Sequence, residues 1–282
     1  MAQTGALMGV TGGPVIRPQS NMPTSMLLRM GGKTILVDAG LGVTRGICDQ
    51  GVALTEIDMI FITHLHSDHY LELGPLFHTA LRAVLNLPIP VIGPDGLDAY
   101  WAGFQASMAF DIELRMRDEG RCAFGALAEI SPMPKAATFD EIGVASMLNK
   151  HPPIAETYAL RFDAMGQSVV LSGDTAYMPE MAEFARGADL LVLEAMLRDG
   201  VEALCARMTN GYERLRTHIL NSHTVAVDVG RIAADAGVKQ LALNHFVPDG
   251  DPAFTDDHWR AAVRQHWSGP LHLGTDGLVI AL

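Results

Sequence analysis

The apolar run Met59-Ile60-Phe61-Ile62 leads straight into Thr63-His64-Leu65-His66-Ser67-Asp68-His69, which sets three histidines and a carboxylate within six positions. Beyond it, Leu71 to Leu85 carries apolar residues at helical spacing: Leu73, Leu76, Phe77, Leu81, Val84 and Leu85. The pattern is a buried strand from Ile60 to Thr63, a histidine-rich turn, then a helix. An α/β layered sheet builds a site in this way, because side chains leaving the carboxyl ends of its strands converge in one crevice.

The rest of the chain repeats this pattern. Met26 to Met30 and Lys33 to Asp38 flank Gly31-Gly32, which predicts a hairpin. Strands are expected from Pro88 to Ile92, Ser168 to Ser172, Asp189 to Glu194 and Val238 to Leu243. Helices are expected from Pro179 to Arg186 and from Thr224 to Ala236, the latter ended by Gly237. Alternating strands and helices in both halves imply an α/β layered architecture. No repeat or linker divides residues 1–282, so one domain is expected. The segment 101–145, which contains Met and Pro and has Arg115, Arg117, Asp118, Glu119 and Arg121 clustered, reads as a loop, cap or pocket element near the site.

Composition narrows the partners. Hydrophobic residues make up 49% and charged residues 18%, as in a chain with a large core. Lys+Arg 20 against Asp+Glu 32 gives a net charge of −12, which on average repels phosphate backbones and disfavours nucleic acid as a partner. Cys48, Cys122 and Cys205 form no disulfide framework. No apolar run reaches the ~18 residues a membrane helix needs. The opening stretch, broken by glycines and with no basic residue before Arg17, is a poor signal peptide. These features predict a cytoplasmic protein without a membrane partner.

The candidate site residues are His64, His66, Asp68, His69, His151, Asp174, His223 and His245, several just past strand ends. His64 and His66, two apart in an extended segment, point the same way and can grip one ion. Asp68 and His69, at the turn into the helix, can reach a second. Imidazole with carboxylate suits zinc, with manganese, iron or nickel as substitutes. Taken singly, His151 also reads as a surface-loop histidine and Asp174 as a residue closing an Asx turn. His245 also reads as a strand-end core residue, and His223 as the first residue of a helix.

Together these residues carry a resemblance. A histidine motif after an apolar strand, a later lone His151, Gly173-Asp174-Thr175 and a strand-end His245 resemble the metallo-β-lactamase fold superfamily. Within it, the ribonuclease Z and arylsulfatase-like branch is the most similar. Gly9-Val10-Thr11-Gly12-Gly13-Pro14, Leu36-Val37-Asp38-Ala39-Gly40, Ser222-His223-Thr224 and Leu243-Asn244-His245-Phe246-Val247-Pro248 carry the same likeness.

The resemblance implies an αββα sandwich of two mixed sheets flanked by helices, with two zinc ions. His64, His66 and His151 would hold one ion, Asp68, His69 and His245 the other, and Asp174 would bridge them. Such a pair acidifies a water for attack on an ester, sulfate, phosphate or amide centre. Asp68 would also accept the nucleophile's proton, and His223, a non-ligand, would stabilise the transition state or protonate the leaving group. Asp38 and Glu194 would orient ligand imidazoles, unless they are solvated strand-end carboxylates. Relatives are often homodimers.

Three activities fit such a site. Ribonuclease Z enzymes, which trim precursor transfer RNA, commonly carry a long RNA-binding arm before the Gly-Asp-Thr aspartate, and here only 22 residues separate His151 from Asp174. With the net charge, this favours a dinuclear zinc hydrolase of a small, aromatic ester-type or cyclic substrate: an aryl sulfate, phosphoester, lactone or cyclic amide. The alternative is a ribonuclease Z-like endoribonuclease. A further alternative is a mononuclear iron sulfur dioxygenase or a non-catalytic metal binder.

Overall fold

The computed structural model describes residues 2–18, 20–210 and 212–282. Strands β1 (Thr4–Gly9), β2 (Ser25–Met30), β3 (Lys33–Val37), β4 (Met59–Phe61), β5 (Ile89–Gly93) and β6 (Ala128–Pro132) form one sheet. A second holds β7 (Ala136–Phe139), β8 (Ile142–Leu148), β9 (Tyr158–Ala164), β10 (Gln167–Leu171), β11 (Leu190–Met196), β12 (Gln240–Val247) and β13 (Leu271–Leu273). The last strand, β14 (Leu278–Ala281), returns to the first sheet, whose order is β14-β1-β2-β3-β4-β5-β6. The second sheet runs β13-β12-β11-β10-β9-β8-β7.

Both sheets are mixed in the same way. β3 through β6 run parallel, and so do β10 through β13, while the remaining pairings are antiparallel. Parallel strands deliver their carboxyl ends to a common edge, so each sheet contributes one half of a shared rim.

The period of two along the strands explains why two sheets stack. In β2, Met26, Leu28 and Met30 join the layer between the sheets, while Leu27 faces the outer helices. Ile35 and Val37 against Leu36, and Met59 and Phe61 against Ile60, repeat the division in β3 and β4. Strands apolar on both faces need cover on both, and helices provide it. α1 (Val43–Asp49), α2 (Ser67–Tyr70), α3 (Leu73–Arg82), α4 (Leu97–Ser107) and α5 (Ala109–Asp118) follow strands of the first sheet. α6 (Glu180–Phe184), α7 (Arg198–Ala206), α8 (Tyr212–Ser222), α9 (Ala226–Ala236) and α10 (Asp256–Val263) serve the second. The αββα sandwich of two mixed sheets is the architecture the resemblance implied.

The expected hairpin forms, with Gly31 at φ 58 and Gly32 at φ 77, values that favour glycine. The 22 residues before Asp174 are the β9–β10 hairpin and its flanks. The expected helix from Leu71 to Leu85 is the shorter α3, and a further turn, α2, precedes it over Ser67–Tyr70.

Segment 101–145 differs from its reading as a cap. It is α4 and α5 followed by strands of both sheets, with β6 at the edge of the first and β7 at the edge of the second. Trp101 is buried, stacks on Phe124 at 4.9 Å and donates Nε1–H to Gly125 O at 3.2 Å. The clustered charges obscured α5 in the sequence, and they are its outer face: Arg115 pairs with Asp111 and Glu119 at 2.7 Å, each four residues away. Among the described residues no helix is long and apolar enough to cross a membrane.

Candidate metal centre

Three strand ends, one short helix and one loop build the site. β4 runs into Thr63, His64 and His66, and α2 then carries Asp68 and His69. The loop between β8 and β9 brings His151, β10 leads to Asp174, and β12 carries His245. His245 reaches the site through a bulge. Glu194 pairs with Asn244 and Ala195 with Phe246, so His245 is the extra residue, held at φ 45. A bulge of this kind re-aims a side chain out of the ladder. The strand therefore continues to Val247 instead of ending at Leu243.

The ligand atoms gather in two main groups, and Asp174, His223 and His245 form a third that overlaps both. His64, His66, His151 and Asp174 each present one atom within 4.8 Å of the others, and so do Asp68, His69 and His245. His66 Nδ1 lies 3.1 Å from His64 Nε2 and 3.0 Å from His151 Nε2. Asp174 Oδ2 stands between the groups, 3.7 Å from His64 Nε2, 3.8 Å from His151 Nε2, 3.4 Å from His69 Nε2 and 3.1 Å from His245 Nε2. The structure thus brings together every residue that the motif reading selected.

These donors fit divalent cations. His69 Nε2, Asp174 Oδ1 and His245 Nδ1 are buried without a hydrogen-bond partner among the described residues. Imidazole nitrogens about 3 Å apart repel unless a proton or a cation lies among them, and buried polar atoms left unpartnered cost free energy. A cation in each group relieves the repulsion and partners His69 Nε2, and an imidazole–carboxylate donor set suits a borderline metal.

The imidazoles are fixed from behind. His69 Nδ1 donates to Asp38 Oδ2 at 2.7 Å, and Asp38 also accepts from Thr63 N and Oγ1 at 2.8 and 2.9 Å. His151 Nδ1 donates to Ser222 O at 2.9 Å, and His64 Nδ1 lies 3.1 Å from Thr63 Oγ1. Gly13 N donates to Asp68 Oδ2 at 2.8 Å. The preceding Gly12 packs so closely that a Cβ there would meet Phe246 O at 2.9 Å and the His245 ring at 3.0 Å. Asp38 and Glu194 are buried, which excludes their reading as solvated carboxylates. Glu194 meets His223 and none of His64, His66, His69, His151 and His245: its Oε2 accepts from His223 Nδ1 at 2.8 Å, while Oε1 accepts from Thr175 N at 2.7 Å.

Burial and charge divide the titrations. Burial holds His64 well below its ordinary value and pushes His151 down to about 4, leaving both neutral and able to bind metal. Burial would also depress His69, but the carboxylates of Asp174, Asp38 and Asp68 raise it well above. Burial opposes ionisation of Asp68, yet His69 and His245 hold it below the usual carboxylate range. For His223, the Glu194 carboxylate overcomes burial and raises it to about 9. His223 lies between the two ligand groups, with ring centroids 5.1 Å from His151 and 5.3 Å from His245.

The motif reading passed over the supports Thr63, Ser222 O and the Gly13 amide, and it passed over His218. The ring of His218 lies 6.0 Å from that of His66 and 6.1 Å from that of His151. Its position four residues after Arg214 was visible, but nothing local said which face of α8 meets the site.

The chain matches the family described as "Beta-lactamase superfamily domain" over residues 33–246. It is 32% identical over 273 residues to a protein named ribonuclease Z from Mycolicibacterium gilvum, covering 94% of this chain and 92% of that one. Among solved structures, the metallo-β-lactamase fold protein YhfI from Bacillus subtilis matches with TM-score 0.72 at 20% identity, over 99% of this chain and all of that one. The short form of human tRNase Z matches with TM-score 0.68 at 20% identity, over 99% and 98%. At such identities the two structures speak for the fold alone.

The ribonuclease Z relative overturns two expectations: the small aromatic ester-type or cyclic substrate, and nucleic acid as a disfavoured partner. The arguments behind them fail for physical reasons. This chain spans 92% of the relative, so the lack of a long arm does not separate the two. A net charge of −12 is a sum over the whole surface, whereas a phosphate backbone responds to local cations. The chain belongs to the metallo-β-lactamase superfamily, on the branch of its ribonuclease Z relatives, and is a metal-dependent hydrolase.

Proposed function

We propose that the protein is a ribonuclease Z-type endoribonuclease that cuts precursor transfer RNA. The observation that carries this reading is the 32% identity to a protein named ribonuclease Z across 94% of the chain. The full set of site residues supports it. In this reading His64, His66 and His151 would hold one zinc ion, Asp68, His69 and His245 would hold a second, and Asp174 would serve both. The three free cysteines fit a cytoplasmic setting.

Bound divalent ions supply Lewis acidity and lower the pKa of a shared water. The chain's own groups handle the protons. Asp68, ionised at neutral pH, accepts the proton of the attacking water at Oδ1, since its Oδ2 is engaged by Gly13 N. His223, an imidazolium up to about pH 9, gives its Nε2 proton to the leaving oxygen. Glu194 holds Nδ1 and so aims Nε2 between the two ligand groups. Asp38, Thr63 and Ser222 O keep the ligand imidazoles in one orientation.

The test is endonucleolytic cleavage of a precursor transfer RNA by protein loaded with two equivalents of zinc, stopped by chelator and restored by zinc. Zinc-loaded protein that hydrolyses a simple phosphodiester but leaves the RNA intact would refute the reading.

A further inference from the structure

α8 sorts its basic residues onto different faces. Arg216 is clamped by Glu202, with Nε 2.6 Å from Oε2. Arg214 is exposed and forms no ion pair among the described residues. His218, four residues on and therefore on the same face as Arg214, stands against His66 and His151 at 6.0 and 6.1 Å and enters no hydrogen bond among the described residues. Asn221 continues the row, exposed and seven residues from Arg214.

The helix is a firm mount for this row. Ser222 Oγ donates to Pro152 O and Ser222 O accepts from His151 Nδ1, both at 2.9 Å, so the end of α8 is tied to the loop that carries a candidate ligand. On its other side, Ile219 packs with Val201 and Cys205 of α7 in a small apolar cluster. An unpartnered imidazole beside the ligands, then an unpaired guanidinium one turn farther out, match the successive anions of a nucleic-acid backbone.

We propose that this face of α8 is a phosphate rail for the RNA strand: His218 donates a hydrogen bond to the phosphate next to the scissile one, and Arg214 pairs with the phosphate after it. This deepens the endoribonuclease reading and rests on it. It also reconciles a protein of charge −12 with a polyanion, because the contact is local.

The test measures cleavage of precursor transfer RNA by the zinc-loaded enzyme between about 50 and 200 mM salt. Arg214→Ala should raise KM several-fold and flatten the slope of log(kcat/KM) against log[salt] by about 0.7 to 0.9, the loss of one phosphate contact. Arg214→Lys should restore the slope. His218→Ala should lower kcat/KM several-fold with zinc content kept, and His218→Gln, which retains a donor, should recover part of it. Arg186→Ala, at the end of the second sheet away from the site, should leave KM and slope unchanged. If the wild-type protein cleaves the RNA and Arg214→Ala matches its KM and slope, the rail is refuted and the endoribonuclease reading stands. Loss of zinc in His218→Ala would refute the phosphate contact. If zinc-loaded wild-type protein hydrolyses bis(p-nitrophenyl) phosphate but not the RNA, the endoribonuclease reading falls and the rail with it.

Discussion

Glu194 Oε2 accepts a hydrogen bond from His223 Nδ1 at 2.8 Å, and both side chains are buried. The carboxylate overcomes the burial of the imidazole and keeps it protonated to about pH 9. Glu194→Gln removes the charge while keeping an acceptor. The His223 pKa should then fall, so the alkaline limb of the pH–rate profile should move to lower pH. The maximal rate should drop on the order of 10²-fold. An unshifted alkaline limb would rule His223 out as the acid. His223→Ala should be slower still yet keep its zinc, as measured by elemental analysis.

Asp38 holds His69 by a 2.7 Å hydrogen bond and takes two more from Thr63. Asp38→Asn should weaken metal binding or activity by about 10- to 100-fold, since it acts through the ligand's orientation and basicity. Competition with a fluorescent chelator reads the affinity directly.

Asp174 Oδ2 is the shared anion, within 3.8 Å of imidazole nitrogens from both groups. Asp174→Ala should cut the zinc content well below that of the wild type and abolish turnover. Full zinc content in this variant would contradict the bridging role.

Metal removal should destabilise the fold. Asp38, Asp68, Asp174 and Glu194 are all buried in one region, and without cations only imidazoles and a few hydrogen bonds from Thr63, Gly13 and Thr175 compensate them. Free metal at about 100 to 1,000 times its dissociation constant adds about 3 to 4 kcal/mol to the native state. At about 2–4 °C per kcal/mol for a domain of this size class, chelation should lower Tm by roughly 6 to 16 °C. Differential scanning fluorimetry with and without chelator checks this.

Metal uptake should release protons. Asp174, Asp38 and Asp68 raise His69 well above its ordinary value, so in the metal-free protein its imidazole is charged at neutral pH. A ligand nitrogen must be neutral, so binding expels that proton, and apparent affinity should fall as pH falls. Titration calorimetry in buffers of different ionisation enthalpy should report net proton release near pH 7. Buffer-independent heats would contradict it.

Local sequence determined a good deal. Apolar alternation in β2, β3 and β4 required a sheet covered on both faces, and Thr63 to His69 announced a metal-binding turn, because ligands within six positions meet through backbone geometry alone. Local sequence misread segment 101–145, where paired surface charges hid α5. Tertiary structure decided the rest. His151, Asp174 and His245 were ambiguous singly and became one site only because parallel strand ends from two sheets share a rim. A bulge re-aims His245, Glu194 serves His223 instead of the imidazoles of His64, His66, His69, His151 or His245, and α8 carries His218 beside His66 and His151. The substrate expectation failed for the same reason. Chain length between motifs and net charge are sums along the sequence, while recognition of a polyanion depends on which few cations the fold leaves unpaired beside the metals.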